Sequence, residues 1–89
     1  MLTLRTATGK TFQIDWIGVS TLDGSLRFEV VGDVNMFELI SVFIQPEETA
    51  TLTRVFDEDE KTFSGFTDFK GVDKKYGDGG IVVALVKGE

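Results

Sequence analysis

The first part of the chain alternates apolar and polar residues, which is the pattern of half-buried β-strands. Leu2 and Leu4 alternate with polar neighbours, and a second alternating run covers residues 12–16. Successive side chains of a strand point to opposite faces, so both runs predict strands with one face toward a core. The turn signal at residues 8–10 joins them into a hairpin, and the alternation puts Trp16 on the core side.

A third strand follows a tight-turn signal. Asp23 and Gly24 both tolerate positive φ and are typical of hairpin turns. Apolar residues then occupy alternate positions from Leu26 to Val30. We therefore predict a second hairpin, with part of residues 17–22 extending the second strand.

The alternation ends near residue 35, where the spacing of apolar residues becomes helical. Polar residues recur at intervals of three and four, with apolar residues on the opposite side. Asn35 can cap the start, and Pro46 ends the helix because the residue before a proline is pushed out of the α region. The pattern predicts a helix over about residues 36–45, although residues 40–44 also suit a buried strand.

Three further strands are predicted in the second half of the chain, at residues 50–56, 61–76 and 81–86. The last strand is apolar on both faces, which predicts a central position in the sheet. Residues 57–60 and the glycine-rich residues 76–80 predict the turns between these strands. The chain as a whole predicts a mainly β (α+β) fold, a single domain over residues 1–89. We expect a small antiparallel β sheet or barrel in the order βββ-α-βββ, with one helix.

Phenylalanines recur every three residues in the long predicted strand, as Phe63, Phe66 and Phe69. A regular strand cannot keep this spacing on one face. A β-bulge at Gly65 would shift the facing by one residue and bring the rings together. Otherwise at least one ring is exposed, and we identify Phe66 as a candidate contact for a protein partner.

Four consecutive acidic residues form the other candidate contact, namely Asp57, Glu58, Asp59 and Glu60. Their spacing is not that of an EF-hand loop, so we expect no metal there. Charges packed this closely are typical of a solvated hairpin tip that protects a sheet edge from unwanted pairing. A patch that contacts another protein is the alternative.

Composition and charge exclude several classes of function. The 89 residues include no histidine and no cysteine, which removes histidine bases, cysteine nucleophiles, disulfides and the common zinc sites. Nine basic against fifteen acidic residues give a net charge of −6, which disfavours nucleic acids and anionic membrane surfaces. No apolar run approaches the length of about 20 residues that spans a bilayer. We expect a soluble intracellular protein that is not an enzyme and has no cofactor.

A resemblance to a known group of proteins extends over nearly the whole chain. The segments that carry it are residues 2–4, 9–12, 15–16, 23–28, 43–49, 52–53, 63, 65–67 and 82–85. Together they resemble small uncharacterised proteins encoded in prophages and mobile elements of Firmicutes, near tail or other structural genes. The resemblance implies a phage structural, assembly or tail-associated protein, located in the bacterial cytoplasm or in the virion, with no catalytic residues to carry over.

Three hypotheses for the function follow from these observations. The first is a non-enzymatic structural or interaction protein that acts through self-association or docking in a larger complex. The second is an acidic inhibitor or decoy that occupies a basic cleft of a partner, whose binding would weaken steeply with salt. The third is a small ligand-binding β module, which requires Trp16 to be exposed in a groove.

Overall fold

The chain folds into a seven-stranded antiparallel sheet with a short helix between its third and fourth strands. A computed structural model describes residues 1–74 and 80–88. The strands are β1 (Leu2–Arg5), β2 (Thr11–Val19), β3 (Leu26–Val30), β4 (Thr51–Phe56), β5 (Asp59–Ser64), β6 (Asp68–Lys74) and β7 (Ile81–Val86). The helices are α1 (Met36–Phe43) and the single turn α2 (Pro46–Thr49). This confirms the predicted fold class.

Hydrogen bonding places the strands in the order β5-β4-β1-β2-β3-β7-β6. Strand β2 is central and is shared by both halves of the sheet. Its residues 11–13 pair with β1, and its later residues pair with β3. Strand β7 lies between β3 and β6, as expected for a strand that is apolar on both faces.

A β-bulge in β2 changes the facing of its side chains. The register shifts between Ile14, which pairs with Val30, and Trp16, which pairs with Glu29. Because the extra residue breaks the period of two, Ile14 and Ile17 both contact the core. Trp16 is only half-buried and lies outside the core cluster, so the prediction that it is a core residue is wrong.

Helix α1 begins as the sequence predicts. The Oδ1 atom of Asn35 accepts hydrogen bonds from the backbone N–H groups of Phe37 and Glu38, at 2.8 and 3.4 Å. These bonds satisfy two of the donors that a helix leaves free at its start. The helix ends at Phe43, two residues before the predicted end, and Pro46 occupies the first position of α2.

The inner face of α1 closes the core. Leu39 and Phe43 are fully buried. The ring of Phe43 lies 5.4 Å from that of Phe12 and 5.1 Å from that of Phe28, so the helix packs on β2 and β3. The buried apolar residues of the core are Leu4, Ile14, Leu26, Phe28, Val30, Leu39, Phe43, Leu52, Phe66, Ile81, Val83 and Leu85.

The predicted long strand over residues 61–76 is two strands in the structure. Gly65 has a positive φ of 84°, which ends β5 and turns the chain toward β6 at the other end of the strand order. Its N–H donates to the carbonyl of Ala50, and its own carbonyl accepts from the N–H of Gly88. The bulge predicted at Gly65 is therefore wrong, and the second bulge lies between Phe69 and Gly71.

The turn predicted over residues 76–80 lies, apart from Gly80, outside the described residues. Within residues 1–74 and 80–88, neither helix is long and apolar enough to cross a membrane.

Candidate functional site

The four consecutive acidic residues form a hairpin tip. Phe56 pairs with Asp59, so Asp57 and Glu58 make a two-residue turn between β4 and β5. Asp57 has a φ of +54°, the conformation that a tight hairpin turn requires of its first residue. Glu60 follows in β5, and all four acidic side chains are exposed.

Basic residues neutralise half of the charge at this tip. Arg54 donates to Asp59 at 2.8 Å, and Arg5 donates to Glu60 at 3.1 Å. Within residues 1–74 and 80–88, Asp57 and Glu58 have no ion pair. The tip therefore divides into two carboxylates that brace the hairpin and two that project without a partner on the described chain.

A groove of about 290 Å³ lies beside the tip, and we call it the tip groove. Its lining residues are Leu2, Asp15, Trp16, Ile17, Arg54, Phe56 and Asp59. Apolar side chains form most of the wall, while Asp15, Arg54 and Asp59 contribute charged groups. The two residues that flank the turn, Phe56 and Asp59, both line the groove, so the free carboxylates of the tip begin directly at its rim.

The tip groove combines a half-exposed aromatic ring with a buried donor that lacks an acceptor among the described residues. The side chain of Phe56 is 50% exposed, and Leu2 pairs with it across the strands. The Nε atom of Arg54 is buried and has no acceptor among the described residues. Trp16 donates through Nε1 to Glu29 Oε1 at 3.0 Å, which fixes the ring that lines the groove. This half-buried Trp16 partly meets the condition for a small ligand-binding module.

Helix α1 has a second apolar face that points away from the core. Phe37 is 79% exposed and Ile44 is 54% exposed, and seven residues separate them. Ile44 is the C-cap directly after α1 and keeps a helical φ, and positions seven apart lie on the same side of a helix. We call this pair of side chains the α1 outer face. It is a second exposed apolar surface, distinct from the tip groove.

The acidic residue of the β2–β3 turn, in contrast, is bound within the fold. Asp23 accepts hydrogen bonds from the N–H and Oγ of Ser25, at 3.0 and 2.6 Å. It also pairs with Lys70, and with Arg27 at 3.3 Å. The hydrogen bonds from Lys70 and Ser25 hold the pKa of Asp23 far below its usual range.

Glu48 is a buried carboxylate that also makes contacts within the fold. It is 4% exposed and accepts a hydrogen bond from Thr8, while Lys10 lies 3.3 Å away. Hydrogen bonds from Thr8 and Thr6 lower the pKa of Glu48, with a smaller contribution from Lys10, although burial acts in the opposite direction. Helix α2 is thereby fastened to the β1–β2 turn.

The two predicted contacts have different outcomes. The structure places Asp57, Glu58, Asp59 and Glu60 together at an exposed tip, although their contact with a partner stays a prediction. Phe66 is only 4% exposed, so the expectation that it offers an exposed ring is wrong. The turn at Gly65 directs Phe66 into the core, whereas a continuous strand would have continued the alternation.

The tip groove does not follow from the pattern of the sequence. The sequence does contain an indication of Phe56, because it is the last apolar residue before the acidic run. The pair Trp16 and Ile17 had another, because two consecutive apolar residues break the alternation and indicate a bulge. Asp15 and Arg54 had none, since only the pairing of β1 with β4 and β2 brings them to one groove.

No group of three or more histidine, cysteine, aspartate or glutamate side chains that could hold a metal ion occurs in the described part of the chain. No protein-family model matches the sequence, and neither a curated protein nor a solved structure matches it.

Proposed function

We propose that this chain is a non-enzymatic interaction protein that docks in a larger assembly through the tip groove. The observation that carries the proposal is the half-exposed ring of Phe56 beside a groove. Phe28, Phe43 and Phe66 are almost fully buried in the same chain, so the fold has room for such rings in its core. Large exposed aromatic residues beside a concave surface are typical of contact sites.

The assembly that we propose is of phage type. The resemblance of the sequence to prophage-encoded proteins near tail and structural genes supports this setting, and with it a location in the bacterial cytoplasm or the virion. The small size and the acidic surface suit a component that binds other proteins. Binding of nucleic acid remains disfavoured by the net charge of −6.

Site-specific photo-crosslinking tests this function. Phe56→p-benzoyl-phenylalanine places a reactive ring at the groove in cells that naturally produce the protein. Leu22→p-benzoyl-phenylalanine is the control, because Leu22 is 96% exposed and does not line the groove. We expect a discrete adduct from position 56 that is absent from position 22.

The mass of that adduct also separates the two modes of assembly. Twice the mass of the chain identifies self-association, and any other mass identifies docking on a different protein. No adduct from position 56, or the same adducts from both positions, would contradict the proposed function.

An acidic decoy is the second candidate, and the free carboxylates of Asp57 and Glu58 favour it. A decoy presents negative charge to a basic cleft, so Asp57→Asn with Glu58→Gln should abolish its binding. The same double variant should only weaken docking through the apolar wall of the groove. Arg5 and Arg54 neutralise the rest of the tip, which argues for docking as the main function.

A further inference from the structure

We propose that the tip groove receives a lysine or arginine side chain from a basic segment of the partner protein. This inference rests on the proposed function and names the chemistry of its partner. It follows from two properties of the described residues at the groove, an apolar wall and an excess of negative charge.

The wall suits the long alkyl stem of a basic side chain. Leu2, Ile17 and Phe56 supply apolar surface, and lysine and arginine stems commonly lie along such surfaces while the charged head stays in water. The half-exposed ring of Phe56 adds a face that attracts a cation. An acidic side chain has neither a long stem nor an attraction to an aromatic face.

The charged residues beside the apolar wall favour a bound side chain of positive charge. Asp15 lines the groove and has no ion pair within residues 1–74 and 80–88. Asp57 and Glu58 continue the negative charge at the rim. Arg54 is the only basic residue among the described lining residues, and Asp59 already binds its Nη2 atom at 2.8 Å. A cation therefore meets unpaired carboxylates, whereas an anion meets repulsion.

Trp16 provides a direct reporter, because it is the only tryptophan of the chain and lines the groove. The probe is a blocked peptide, acetyl-Gly-Lys-Leu-Lys-Gly-amide, titrated against the full chain while the Trp16 emission is recorded. The matched control peptide carries glutamate in place of both lysines. We expect a saturable change with the lysine peptide alone, and a loss of affinity as salt is raised from about 20 to about 300 mM.

Four variants locate the binding. Asp15→Asn and Phe56→Ser should each weaken binding of the lysine peptide about threefold, because they remove the free charge and the ring face at an exposed site. Asp33→Asn and Phe37→Ser are the matched controls, an exposed aspartate and an exposed phenylalanine outside the groove, and should leave the affinity unchanged. Urea unfolding of each variant shows that the fold is retained.

Equal binding of the glutamate peptide, or an affinity that Asp15→Asn does not change, would overturn the inference. So would the absence of any saturable change. Failure of the inference and failure of the proposed function are distinguishable. If position 56 still yields its adduct, the chain docks through the groove on a partner of other chemistry. If it yields none, the docking function itself is lost.

Discussion

Phe43 and Phe56 are both phenylalanines, but they lie in two different regions of the molecule. Phe43 lies in the core beneath α1, and Phe56 lies at the tip groove. Phe43 is fully buried, with two other rings within 5.4 Å of its own. Phe56 ends β4 with half of its surface in water. Burial makes the first ring a source of stability, while exposure leaves the second available to a partner.

The carboxylates of the molecule also fall into two groups. Asp23, in the exposed β2–β3 turn, and the buried Glu48 are bound by hydrogen bonds and ion pairs to other residues of the chain, and both have lowered pKa values. Asp57 and Glu58 have no ion pair on the described chain and lie beside the tip groove. Two of these carboxylates therefore contribute to the fold, while the two at the tip stay exposed to solvent.

The largest change in the free energy of unfolding is expected from substitution of the core phenylalanine. Phe43→Ala should lower the free energy of unfolding by about 3–5 kcal/mol, because it removes buried surface and leaves a cavity. Phe56→Ala should lower it by less than about 1 kcal/mol, since half of that ring is already in water. Urea unfolding of both variants measures the difference. Equal losses of unfolding free energy would contradict the distinction between the two regions.

A smaller loss of stability is expected when the pH is lowered. Because the pKa values of Asp23 and Glu48 are lowered by folding, their stabilising contribution is complete above the usual pKa of about 4 and is lost as the pH falls below it. Unfolding midpoints should therefore drop between about pH 5 and about pH 2.

Substitutions test whether Asp23 and Glu48 cause this loss of stability at low pH. Asp23→Asn and Glu48→Gln should flatten the dependence on pH, while Asp57→Asn should leave it unchanged. A dependence that Asp57→Asn flattens equally would show that the tip carboxylates also stabilise the fold.

The next effect concerns the glycine that separates β5 of the tip hairpin from β6. Gly65→Ala should cost roughly 1–2 kcal/mol, because a side chain is strained at positive φ. A Cβ atom at this position meets nothing within 4 Å, so the cost is one of backbone conformation. Gly71→Ala is the matched control, with equal space and an ordinary φ. Equal losses of unfolding free energy would contradict this account.

The smallest effect is expected at the free carboxylates of the tip. Asp57→Asn and Glu58→Gln should change the free energy of unfolding by no more than about 0.5 kcal/mol, as is usual for exposed residues without partners. Thermal unfolding monitored by circular dichroism is sufficient to measure this. A loss of several kcal/mol would show that these residues hold the fold together.

Local chemistry made much of the fold predictable. Helix α1 follows from its apolar spacing, from Asn35 at its start and from Pro46 after its end. The hairpin turns at Gly24 and at Asp57 follow from residues that accept positive φ. These features depend on neighbours within a few positions, so the sequence itself contains the evidence for them.

The candidate site was predictable only in part. The acidic run identified the tip, but Phe66 was the wrong aromatic residue and Phe56 the one beside the groove. Spacing along a strand could not choose between them, because the chain leaves the strand at Gly65. Hydrophobic periodicity predicts which face a side chain occupies only within one uninterrupted strand or helix.

The sequence by itself determined the elements of this protein, their turns and its charge. Only the tertiary structure decided that β5 and β6 lie at opposite ends of the strand order, that Trp16 leaves the core, and that Asp15 meets Phe56 in one groove. Turn and helix signals are local and add up along the chain. Strand partners and bulges are selected by contacts between distant segments, and only the folded chain brings those segments together.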